Sequence, residues 1–225
     1  MAKRKASAES TSSLKSAAVK LFASRGYANT SLEDVANAAG FTKGAVYYHF
    51  KAKENLLLTI LQDIEERSIG VTDREVRALQ GTVAEKVELF SKLQARWAGD
   101  CPDDLAILML TSIESAREST IVHKRVAAIY SRIEGLLRNI VEEGQRKGEI
   151  AAEASVEDAV LGFIATHDGN MLLWYRSGCD PVMGRKLSFA SRQMSLEKIH
   201  GISTVAVAPA LVSKKIPRSR KSTAA

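Results

Sequence analysis

Between Thr42 and Lys53 the sequence TKGAVYYHFKAK sets three polar rings, Tyr47, Tyr48 and His49, among Lys43, Lys51 and Lys53. Ammonium, phenol and imidazole groups all donate hydrogen bonds, so the partner they fit in common is rich in acceptors, as a nucleic-acid backbone is. Thr42 can cap a helix and donate to a phosphate, and Lys43 can reach a guanine edge. Gly44 and Ala45 lack bulk, which lets a helix that carries them sit deep in a major groove. Tyr47, Tyr48, His49 and Lys53 then suit phosphate oxygens on either side. Taken alone, the three rings could equally be a packed aromatic cluster, so the surrounding spacing decides.

That spacing is a helix-turn-helix. Leu14, Ala17, Ala18, Leu21 and Phe22 have helical period after the serine cluster Ser10 to Ser13, with Gly26 as a stop. Thr30 and Glu33 have the separation of a capping box, followed by the short apolar face Leu32, Val35, Ala36 and Ala39. Gly40 can take positive φ in the next turn, and a third helix fits Thr42 to His49, with Val46 facing back toward Ala36. A fourth helix starts near Lys53 with Leu56, Leu57, Ile60, Leu61 and Ile64 inward.

Beyond Gly70 the helices lengthen. The predicted starts are Thr82 with Glu85, Pro102, about Ile121, Ser155 and Asp180-Pro181; Gly148 ends the longest helix, and the last fades near Gly201. No alternating strand pattern appears, so the predicted fold is all-α. It comprises an N-terminal three-helix helix-turn-helix domain at 1–52, a larger helical domain at 53–202, and a basic tail at 203–225 read as mostly disordered.

Charge follows the same division. The net +6 splits into +5 over 1–56, +5 over 211–225 and −4 between them, as expected of a head that meets a polyanion on a body that does not. No apolar run reaches membrane-span length and the first residues lack a signal-peptide core, so a cytoplasmic protein without a membrane partner is expected. Cys101 and Cys179 lack metal-ligand spacing, and no phosphate loop, H-E-x-x-H or G-x-S-x-G pattern occurs. Glu114 and Glu118, one turn apart, match a solvated helix. Neither an enzyme, a metal nor a cofactor is therefore expected.

The run LFASRGYANTSLEDVANAAGFTKGAVYYHFKAKENLL resembles the DNA-binding head of the TetR family of bacterial transcriptional regulators. Phe22, Gly26, Thr30, Ala36, Gly40, Lys43, Gly44, Tyr47, His49, Phe50, Lys53 and Leu56 carry the likeness, which covers about the first quarter of the chain. The resemblance implies a homodimeric repressor of double-stranded DNA, closed by its last two long helices and released from its operator by a small-molecule effector. By position it implies base-facing Lys43, Gly44 and Ala45, and mainly phosphate-facing Thr42, Tyr47, Tyr48, His49 and Lys53.

For the body, the expected dimer helices are Val156 to Tyr175 and Val182 to Ile199, with Phe163 and Leu187 as interface candidates. A largely apolar pocket is expected around Trp97, Met109, Ile113, Tyr130 and His167. Control by a protein partner instead of a small ligand is the alternative.

Overall fold

A computed structural model describes the backbone of residues 2–117 and 120–190, with side chains from residue 8 onward. Its order is α1 (Ala2–Arg25), α2 (Leu32–Ala39), α3 (Lys43–Phe50), α4 (Lys53–Glu65), a π-helical turn (Glu66–Gly70) and α5 (Val71–Ala78). There follow α6 (Val83–Asp100), α7 (Pro102–Ser115), α8 (Ile121–Lys147), α9 (Val156–Arg176) and a helical segment at 181–190. No strand occurs among the described residues. The rest of the expected last helix and the tail at 203–225 lie outside them.

Two expectations at the N-terminus need correction. The first helix begins at Ala2 and runs through Ser10 to Ser13, because serine has only middling helix propensity and is no breaker, and Thr11 finds a tertiary partner in His49. The second helix is capped one residue later than expected. Thr30 is buried and gives its hydroxyl to the Gly26 carbonyl at 3.0 Å, so Ser31 caps Asp34 N–H and the Asp34 carboxylate returns to Ser31 N–H at 2.7 Å. Glu33 is thereby left without a capping role.

Leu14, Ala18 and Phe22 of α1 bury against Leu32, Val35 and Ala36 of α2 and Val46 and Phe50 of α3, closing a three-helix head. Gly40, at φ 72°, makes the turn between α2 and α3. Lys51, at φ 59° and ψ −39°, reverses the chain into α4 through a γ-turn, with Ala52 N–H on the Phe50 carbonyl at 2.6 Å.

Helices α4 and α5 are continuous across the π turn. Ser68 donates to the Ile64 carbonyl at 2.7 Å, Thr72 to the Ser68 carbonyl at 3.0 Å, and buried Gln94 of α6 to Thr72 at 2.8 Å. The two hydroxyl bonds occupy carbonyls at the widened turn, and the Gln94 bond to the Thr72 hydroxyl ties it to the body. Charged pairs do the same from outside: Asp104 of α7 accepts from Arg67 at 2.7 and 3.0 Å, while Glu65 accepts from Arg125 and Arg132 of α8. The helix that leaves the head is thus anchored to α6, α7 and α8.

The remaining starts match the sequence. Thr82 and Glu85 form a capping box, Pro102 opens α7, Ser155 caps α9, and the Asp180 carboxylate accepts from Val182 and Met183 N–H at 3.0 and 3.2 Å.

Candidate nucleic-acid interface

Helix α3 has only eight residues, and its two sides have opposite fates. Val46 and Phe50 are buried in the head, whereas Thr42, Lys43, Gly44, Tyr47 and Tyr48 are exposed; Tyr48 is 80% accessible. Ala45 and His49 are half-buried at the flanks. Thr42 caps the helix, accepting from Ala45 N–H at 3.3 Å. At Gly44 a β-carbon would meet nothing closer than the Thr42 hydroxyl at 4.0 Å. Nothing among the described residues therefore requires glycine there, although glycine costs a short helix ~1 kcal/mol relative to alanine.

Three of the expected contact residues have partners that sequence reasoning missed. Lys43 donates to the Glu33 carboxylate at 3.0 Å, both side chains being more than half exposed. This hydrogen bond and the carboxylate charge hold the ammonium pKa above its ordinary value. His49 Nδ1 lies 3.1 Å from the Thr11 hydroxyl, which ties α3 to α1. Lys53 donates to the Tyr27 and Ala28 carbonyls at 2.8 and 3.4 Å and sits 4.3 Å above the Tyr27 ring. Tyr27 in turn stands edge-on to Phe22 at 5.3 Å. Lys53 thus staples the start of α4 to the loop before α2. These partners lie 10 to 38 positions away along the chain, where no local pattern signals them.

Beside α3 lies an open depression of about 440 Å³ lined by Tyr47, Lys53, Ser31 and Leu32 among others. Asp34 also borders it, its carboxyl held below the usual range by the Ser31 hydrogen bonds.

The expected pocket residues separate in the body. Trp97 is buried and its indole N–H has no hydrogen-bond partner among the described residues. Met109 and Tyr130 are partly buried, and the Ser112 hydroxyl of α7 donates to the Met109 carbonyl at 2.7 Å. His167 meets Phe90 edge-on at 5.4 Å. Burial pushes His167 down to about 4 and Asp168 up to about 6, and burial followed by the Asp168 charge raises Tyr130. Ile113, one turn beyond Met109 on α7, is 65% exposed. Among the described residues no cluster of His, Cys, Asp and Glu could hold a metal, and no helix is long and apolar enough to cross a membrane. Burial raises both thiols, Cys101 and Cys179.

Comparison with known proteins agrees with the geometry in both parts of the chain. Residues 14–60 match the family described as bacterial regulatory proteins, tetR family, and residues 92–175 match the tetracyclin repressor-like C-terminal domain. The chain belongs to the TetR family. It is 28% identical over 159 residues to the fatty acid metabolism regulator protein of Bacillus subtilis (strain 168), covering 70% of this chain and 79% of that one. It is 27% identical over 180 residues to the transcriptional repressor KstR2 of Rhodococcus jostii (strain RHA1), covering 72% and 77% respectively. The crystal structure of the MbdR regulator from Azoarcus sp. CIB superposes with a TM-score of 0.73 at 26% identity, covering 88% of this chain and all of that one. As a TetR-family member this chain is a helix-turn-helix transcriptional regulator, and its relatives are regulators, not enzymes.

Proposed function

We propose that this regulator is a cytoplasmic homodimeric repressor whose α3 faces bind a pseudo-palindromic operator and whose body releases DNA on taking up a small, largely apolar ligand. The observation that carries the DNA reading is the exposed face Thr42, Lys43, Gly44, Tyr47 and Tyr48 on a helix whose opposite side is fixed in the head core. A glycine that no neighbour among the described residues demands is consistent with close approach of an outside surface. Lys43, Gly44 and Ala45 face bases. Thr42, Tyr47, Tyr48, His49 and Lys53 hold or border the backbone, Lys53 with whatever donor capacity Tyr27 and Ala28 leave it.

Dimerisation through α9 and the segment that follows is supported by Leu161, Leu173, Val182, Met183 and Phe189, all exposed in one chain. Phe163 is buried within the subunit, so a charge there would test folding instead of association. The ligand reading rests on the partly buried Met109, Tyr130 and His167 together with buried Trp97, and on relatives named for fatty acid metabolism and for repression. The division into a head at 1–52 and a body at 53–202 follows the same logic.

The test is Lys43→Ala, titrated against the duplex enriched by the wild type from a random pool and against a scrambled duplex. The base-facing role predicts a loss of about 1–3 kcal/mol on the enriched duplex and much less on the scrambled one. Equal losses on both would remove Lys43 from base reading.

A further inference from the structure

Two adjacent carboxylates begin α2, and the structure gives them different work. Asp34 is spent on the Ser31 capping box, whereas Glu33 reaches across the turn to Lys43, the first residue of α3, at 3.0 Å. The fold does not need this second contact. Helices α2 and α3 are already joined by buried Val35, Ala36 and Val46 and by the Phe41 N–H to Ala36 carbonyl bond at 2.8 Å. Both partners are also more than half exposed, a setting in which an ion pair adds little stability.

An acid on a face meant for DNA needs a reason. A lysine ammonium carries three donors, and one of them is occupied by Glu33. The remaining two suffice for the O6 and N7 acceptors of a guanine, so base contact and the Glu33 bond can coexist. Contact with a backbone phosphate is different, because it either breaks the pair or carries the Glu33 carboxylate with the ammonium up against a polyanion. The bond also restrains a four-carbon stem that would otherwise sample many rotamers before reaching a base.

We infer that Glu33 is a specificity-determining residue of the head: its carboxylate holds the Lys43 ammonium for base edges and penalises its use on phosphate. This rests on the base-facing role proposed for Lys43. Specificity here comes as much from weakening the wrong complex as from strengthening the right one.

The experiment is a four-member cycle of wild type, Glu33→Gln, Lys43→Ala and the double variant. Each is titrated by fluorescence anisotropy against the enriched and scrambled duplexes across a salt series. Circular dichroism melting of each variant confirms the intact head. Glu33→Gln is expected to bind scrambled DNA more tightly and to lower the enriched-to-scrambled ratio by about three- to tenfold. In the Lys43→Ala background the same change should leave that ratio unaltered. The inference is overturned if Glu33→Gln tightens both duplexes by one common factor, or if its effect persists without Lys43, since either would make Glu33 a plain repulsive charge. A Lys43→Ala variant that keeps the wild-type ratio overturns the base-facing role itself, and is told apart from a failure of Glu33 alone by that single titration.

Discussion

Lys51 and the pair His167 and Asp168 show how much individual side chains are asked to tolerate. Lys51 holds a positive φ that costs a non-glycine residue roughly 1–3 kcal/mol, and its side chain is exposed. Lys51→Gly should therefore raise the melting temperature of the DNA-free protein, by less than the full strain because glycine also loosens the unfolded chain. An unchanged or lower melting temperature would show that the turn is unstrained. His167 and Asp168 act in opposite directions with pH. Loss of hydration holds the half-buried ring unprotonated until about pH 4 although its ordinary value is 6.5, so acidification from 6.5 to 4 removes stability. The Asp168 carboxyl takes its proton near 6 instead of 3.8, so acidification through that window adds stability. Asp168→Asn should then lose more stability than wild type between pH 6.5 and 4, and His167→Gln should lose less. Parallel denaturation curves for the three proteins would sink this assignment.

The end of α8 packs closely on the start of α6. A β-carbon on Gly144 would lie 2.5 Å from a Val83 methyl and 3.0 Å from Ile150, while Glu149 binds Val83 N–H at 2.6 Å. Val83 is buried and β-branched, so it cannot swing away. Gly144→Ala should destabilise by about 1–3 kcal/mol despite the better helix propensity of alanine. Gly135, on the same helix with nothing within 4 Å, is the control: Gly135→Ala should stabilise by up to ~1 kcal/mol. Urea denaturation of both variants checks the pair, and two changes of the same sign would contradict the packing. Helix starts at Thr82, Pro102 and Ser155 were legible because a cap and its helix lie within four residues of each other. The shift from Thr30 to Ser31 was not, because the choice depends on which hydroxyl is buried. The π turn was hidden for a similar reason, since Ser68 and Thr72 carry no signal until Gln94 arrives from another helix. In the head, the outward face of α3 was readable from period alone, yet the engagements of Lys43, His49 and Lys53 were not, being contacts made by folding.

As a whole, the chain joins a basic head to a body through the packing of α1 against α7 and through the helix that leaves the head, which is held by Gln94, Asp104 and the arginines Arg125 and Arg132. Such a link lets the position of the head follow the packing of the body, so a ligand that favours one packing over another would change the spacing of two heads in a dimer. The claim at the centre is that two chains grip one duplex and read its sequence through α3. The measurement that tests it most directly is an anisotropy titration of wild-type protein against the enriched and scrambled duplexes near 0.1 M salt, with the mass of the complex taken by sedimentation. The account predicts two chains per duplex and a preference of at least roughly 10³ for the enriched sequence. Equal affinity for the two duplexes, or one chain per duplex at saturation, would contradict it.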